Sequence, residues 1–179
     1  MAQPPDEPPQ RTTAVRVAEH VFFGVGAGIA STVYGTVLVM ATLTAAYATE
    51  KHPWKLAVII ATTTSVLWIA HLYAHGLSAS IEQSRRLRRE ELVAIVRREL
   101  GILVAAAVPT IALLLGASGL FAETAAVWLA LAAGLVTLAV EGLRFARFER
   151  LAVPGTLLVM GLNLALGLAI VALKVEVAH

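Results

Sequence analysis

Five stretches of this chain, 21–47, 56–77, 101–120, 124–140 and 155–173, contain no lysine, arginine, aspartate or glutamate and are dominated by aliphatic side chains. An α-helix rising ~1.5 Å per residue needs ~20 such residues to cross the ~30 Å hydrocarbon core of a bilayer. Each run therefore predicts a membrane-crossing helix, and together they predict an all-α polytopic membrane protein of five spans. Composition agrees. Of the 179 residues 58% are hydrophobic and 15% charged, with a mean hydropathy of +0.78, where a soluble domain carries ~25% charged residues. A soluble globular fold is excluded on these grounds. A formal net charge of +2 gives no reason to expect a nucleic-acid partner. With no cysteine in the chain, disulfides, thiolate nucleophiles, iron–sulfur clusters and Cys-ligated zinc are excluded too.

The long first run would split into two spans if it broke at its glycines, giving six. It holds no proline and no polar cluster wide enough for a turn, so a single tilted helix is the simpler reading. The Ala46-Tyr47-Ala48 triplet resembles a signal-peptide cleavage site, but the apolar run before it is far longer than a signal core of ~7–15 residues. Residues 1–12, with Pro4, Pro5, Pro8 and Pro9 among polar side chains, read as a disordered tail before a single membrane domain over 13–179. The short link from Gly116 to Thr124 predicts a hairpin of spans three and four, and Pro109 predicts a kink in span three.

Charge placement sets an expected orientation. Eleven of the basic residues fall before span one, between spans two and three, or between spans four and five; only Lys51, Lys55 and Lys174 fall on the other side. The positive-inside rule then puts the N-terminus in the cytoplasm and the C-terminus outside, in a multi-pass protein of the cell membrane, with Trp54 anchoring at the outer interface. The segment 80–99 alternates Arg85, Arg86, Arg88, Arg89, Arg97 and Arg98 with glutamates at i,i+4 spacings such as Glu82 with Arg86 and Arg86 with Glu90. It predicts a cytoplasmic Arg/Glu-rich helix, bent where Ser80 and Gln83 fit a capping box. Those six arginines are candidate contacts for anionic lipid headgroups or an acidic partner, or else a plain topology determinant.

Gly24, Gly28, Thr32 and Thr36 recur every fourth residue along span one, a ridge of small side chains that lets a second helix approach closely, either within the chain or from another copy. Polar groups inside the spans are the default functional candidates, because unpaired they are costly in lipid. In span two, Thr64, Trp68, His71, His75 and Ser78 fall on one helical face, joined by Glu82 if the helix continues. Counting from Leu56, His71 lies ~22 Å and His75 ~28 Å into the span. Glu141 lies ~27 Å along span four, with Arg144 at i+3 as its candidate partner, and Asn163 lies ~12 Å from the inner end of span five. Arg16, Glu19 and His20 open span one. Polar groups thus gather in the cytoplasmic half.

This pattern predicts a proton-coupled or pH-sensitive channel or carrier for a small ion or solute, assembled as a homo-oligomer. His71 would be the proton-responsive group, His75 and Glu141 would stand at the inner mouth, and Asn163 would line the path. The alternative is a noncatalytic membrane subunit or lipid-binding scaffold. A metal enzyme using His and Glu, or a haem held by His20 with His71 or His75, is the weaker reading: there is no His-Glu-x-x-His pattern, no Gly-x-Ser-x-Gly elbow and no phosphate loop, and Asp6 is the sole aspartate. No cofactor is predicted.

Overall fold

The computed structural model describes the backbone of residues 13–177 and the side chains of residues 28–173. The proline-rich tail 1–12 lies outside the described residues, as do the side chains of Arg16, Glu19, His20 and Lys174 and any contact of Gly24. Five helices follow one another: α1 (Thr13–Thr49), α2 (Pro53–Gln83), α3 (Arg89–Ala117), α4 (Glu123–Phe148) and α5 (Val153–Val177). No strand occurs among the described residues. All five helices are long and apolar enough to cross a membrane.

α1 is one continuous helix and touches each of the other four. α2 packs on α3, α3 on α4 and α4 on α5, whereas α2 and α5 do not meet among the described residues. The four helices therefore form an arc around α1 that stays open between α2 and α5. The core is built where α1 faces the arc: Val39, Met40 and Leu43 meet Leu56, Ile60, Leu113, Leu131 and Leu138.

Close approach depends on two glycines at one crossing. A Cβ placed on Gly35 would lie 2.8 Å from the Cα of Ile102, and one on Gly101 would lie 2.6 Å from Thr32 Oγ1, so α1 and α3 touch backbone to backbone. Thr32 and Thr36 are buried in this seam and donate their hydroxyls to the carbonyls of Gly28 and Thr32, at 2.9 and 2.8 Å. The ridge of Gly28, Thr32 and Thr36 thus lies against α3 of the same chain, with Gly35 as a member the fourfold spacing omits.

The helices exceed their apolar runs because charged turns continue them beyond the lipid. α2 runs on to Gln83 and α3 starts at Arg89, well before Gly101. The bent helix expected over 80–99 is instead divided between the end of α2 and the start of α3. Ser84 takes a left-handed conformation (φ 49°) that ends α2, and Arg88 is extended ahead of α3. Glu91 closes the break, accepting the Arg88 backbone N–H at 2.7 Å and a two-pronged contact from Arg85 at 2.6 and 3.1 Å. The box expected between Ser80 and Gln83 is absent too: the Ser80 hydroxyl donates instead to the Arg85 carbonyl at 3.1 Å.

The α3–α4 hairpin forms through a left-handed Gly119 (φ 82°), with Leu120 N–H donating to Leu115 O at 3.2 Å and Gly119 N–H to Gly116 O at 3.1 Å. α4 ends the same way on Arg150 (φ 53°), a residue type that seldom adopts this region. α3 passes through Pro109 without interruption, burying it in the core-facing stripe.

Candidate functional site

The buried face of α3 reads Glu99, Ile102, Ala105, Ala106, Pro109, Leu113 and Gly116, a stripe at alternating three- and four-residue spacing. Its first position is a carboxylate. Glu99 is 1% exposed, and a charge so placed persists only with partners. Three helices supply them. Ser31 on α1 donates its hydroxyl to Glu99 Oε2 at 2.8 Å. His75 on α2 brings Nδ1 to 3.4 Å from Glu99 Oε1, and Arg98 on α3 brings Nε to 3.4 Å from the same oxygen.

The imidazole links the two charges. His75 Nδ1 also faces the His71 carbonyl at 3.2 Å, so two oxygens surround it and favour a proton there. Nε2 faces the Arg98 Nη2 donor at 3.5 Å, which favours a lone pair there. The imidazole therefore stands between guanidinium and carboxylate. A second proton on Nε2 would strengthen its attraction to Glu99 and set a cation against Arg98.

His71 stands one turn away from His75 with their ring centroids 5.9 Å apart, and its other face meets the Tyr34 ring at 4.9 Å. No carboxylate reaches it among the described residues. Further along the same α2 face, Thr64 is buried beside a cavity of 280 Å³ between α2 and α3. Trp68 keeps a buried indole N–H without a partner among the described residues, and Ser78 donates to Glu82 at 3.2 Å.

Glu141 and Asn163 lie elsewhere, Glu141 buried on α4 and Asn163 in the α4–α5 seam. Arg144 reaches Glu141 with one nitrogen, at 2.7 and 3.0 Å to the two carboxylate oxygens. Asn163 Nδ2 donates to the Leu138 carbonyl at 3.3 Å. A Cβ on Gly142 would sit 3.0 Å from that nitrogen, so α4 and α5 touch closely here. No contact joins this pair to His71 or His75 among the described residues. Tyr34 stands between the two groups: it stacks on His71 and shares a groove with Asn163.

Of the six arginines between the second and third spans, Arg85 is held by Glu91 and Arg98 by the buried network. Arg86, Arg88, Arg89 and Arg97 are exposed. No group of three or more His, Asp or Glu side chains placed to hold a metal occurs among the described residues.

Glu99, Ser31 and Tyr34 are the members that the intramembrane polar pattern overlooks. The signal for Glu99 was present in its register with Ile102, Ala106, Pro109 and Leu113; the surrounding arginines and glutamates disguised it as one more solvated charge. Ser31 and Tyr34 carry no such signal, since each meets its partner across a helix crossing. No family model, curated protein or solved structure matches this chain.

Proposed function

We propose that this chain is a proton-responsive membrane transport protein, with the His75–Glu99–Arg98 network as its proton-accepting element. The observation that carries the reading is the Glu99 carboxylate, enclosed at the junction of α1, α2 and α3 and bridged through one imidazole to a guanidinium. Histidine is the side chain whose charge changes between pH ~5 and 8. Charging His75 strengthens its pull on Glu99, sets it against Arg98 and leaves the two cations competing for the carboxylate, so proton uptake exchanges partners at the α2–α3 contact and releases Arg98. Helices that shift on that exchange open or close a path for a small ion or solute.

His75 takes the proton-responsive role here, because it touches the carboxylate and His71 does not. His71 and Tyr34 extend the element toward the open side of α1. The arginine-rich end faces the cytoplasm of the cell membrane under the positive-inside rule. A homo-oligomer supplies the rest of the path, since the membrane windows of α2 and α5 are only 22% and 6% buried within one chain.

Those uncovered faces equally favour a second reading, a noncatalytic subunit whose α2 and α5 dock against other helices and whose Arg86, Arg89 and Arg97 meet anionic headgroups. Liposome flux separates the two. Purified protein is reconstituted with an internal pH dye under an imposed potential, beside His75→Gln and Glu99→Gln at equal incorporation. Transport predicts a pH-dependent flux whose dependence is lost or displaced in both variants. Absent flux from folded wild-type protein, with other small solutes tested as well, removes the reading in favour of the subunit.

A further inference from the structure

A groove of 570 Å³ lies between α1, α4 and α5, on the opposite side of Tyr34 from the histidines, and nothing in the proton reading uses it. Its walls are apolar, with Val33 and Val37 from α1, Phe145 from α4 and Leu162 from α5. It extends ~12 Å along α1 between Ile29 and Val37 and lies within the membrane-crossing segments, so in a bilayer it opens onto hydrocarbon and not onto water. Two polar groups interrupt the lining midway. Asn163 uses Nδ2 on the Leu138 carbonyl but leaves Oδ1 without a donor among the described residues, and the Tyr34 hydroxyl has no hydrogen-bond partner there either. Asn163 stands ~15 Å from the start of α5, at a depth where water does not serve it.

We propose that this groove binds a neutral lipophile bearing a hydroxyl or carbonyl oxygen flanked by hydrocarbon. The apolar walls select a hydrocarbon body, the volume lies in the ~300–1,000 Å³ range of sites that enclose one small molecule, and no charged side chain among the described residues lines the groove to favour an ionic head. An alkyl chain alone leaves both polar groups unsatisfied. A hydroxyl donates to Asn163 Oδ1 and accepts from the Tyr34 hydroxyl; a carbonyl accepts from Tyr34. The site stands apart from the transport reading and does not depend on it.

The test is photolabelling of the full-length protein in nanodiscs with hexadecanol carrying a diazirine, competed by unlabelled hexadecanol or by hexadecane. Labelling should saturate, map to α1 and α5 around residues 30–37 and 159–163, and yield to hexadecanol about tenfold more readily than to hexadecane. Leu162→Trp, which fills the groove from its exposed rim, should abolish saturable labelling while circular dichroism and elution stay unchanged. Asn163→Leu should erase the preference for the alcohol without erasing labelling, and Tyr34→Phe should reduce it. Mass spectrometry of protein extracted in mild detergent distinguishes the sources. A neutral membrane lipid carried by wild type and missing from Leu162→Trp identifies a resident lipid, and an empty groove that takes the added alcohol identifies a diffusing solute. Unsaturable labelling spread over the outward faces of α2 and α5, equal competition by hexadecane, or indifference to Leu162→Trp overturns the proposal.

Discussion

Glu99 and Glu141 are both carboxylates enclosed in helix seams, 1% and 5% exposed, yet they are held in opposite ways. Glu99 draws on three helices: Ser31, His75 and its own neighbour Arg98. Among the described residues Glu141 draws on Arg144, three residues along the same helix, whose side chain is 54% exposed. The difference is one of range. A local i,i+3 pair reports the state of one helix and lets water share the charge, whereas a pair spread over three helices ties a protonation state to how those helices pack.

The widest separation between the two should come from stripping partners. Arg98→Ala combined with His75→Ala leaves Glu99, among the described residues, with the Ser31 hydroxyl alone. The buried Glu99 acceptor is then left short of partners, which costs ~3 kcal/mol, less than for a fully buried pair because the His75 and Arg98 side chains are 38% and 40% exposed; it is to be read as loss of stability in detergent at neutral pH. Adding Glu99→Gln to that background should recover most of the loss, because the uncompensated charge is gone; no recovery would mean the side chains act by packing alone.

Backbone contact comes next. Gly35→Ala drives a Cβ against the Ile102 Cα at 2.8 Å, where neither atom can swing aside, and overpacking of this kind costs ~1–3 kcal/mol. Gly161→Ala is the matched control: its Cβ meets nothing within 4 Å, and alanine in a helix interior is favoured over glycine by ~1 kcal/mol. Equal effects at the two glycines would remove the α1–α3 seam as the frame of the Glu99 site.

Arg144→Ala should cost ~1 kcal/mol, the low end for stripping a buried acceptor of its partner because the Arg144 side chain stands largely in water, and should leave any pH dependence of flux intact. A loss matching the Arg98/His75 variant would erase the contrast between the carboxylates. The smallest effect lies in the α1–α2 turn, outside the spans. There the His52 backbone N–H and the Lys55 ammonium, joined by the Lys51 N–H, hold the Glu50 carboxyl down to about 2 from 4.5. A depressed carboxylate stabilises the fold above its unfolded value and loses that contribution as pH falls through the folded one. The turn should therefore loosen between pH 4.5 and about 2. Amide exchange at His52 would show the loosening, and Glu50→Gln should flatten it.

The five apolar runs made the fold legible, since a helix is the structure that such a run takes up in lipid. Element ends were less so. Ser84 and Arg150 turn left-handed at positions where neither glycine nor asparagine marks the turn, which hid the break inside 80–99 and the end of α4. The polar face of α2 was legible from spacing, as was the i,i+3 partner of Glu141. The partner of His75 was not, because Glu99 approaches from another helix after a turn whose geometry no spacing encodes, and Ser31 and Tyr34 enter only through the crossing angle of α1.

The most direct test of the account is the tautomer of His75 at neutral pH, observed by nitrogen-15 NMR of imidazole-labelled protein in lipid. The network predicts a proton on Nδ1, facing Glu99 and the His71 carbonyl, and a bare Nε2 toward Arg98, with Glu99→Gln and Arg98→Ala each disturbing the signal. A proton found on Nε2, with Nδ1 bare beside two oxygens, would contradict the account.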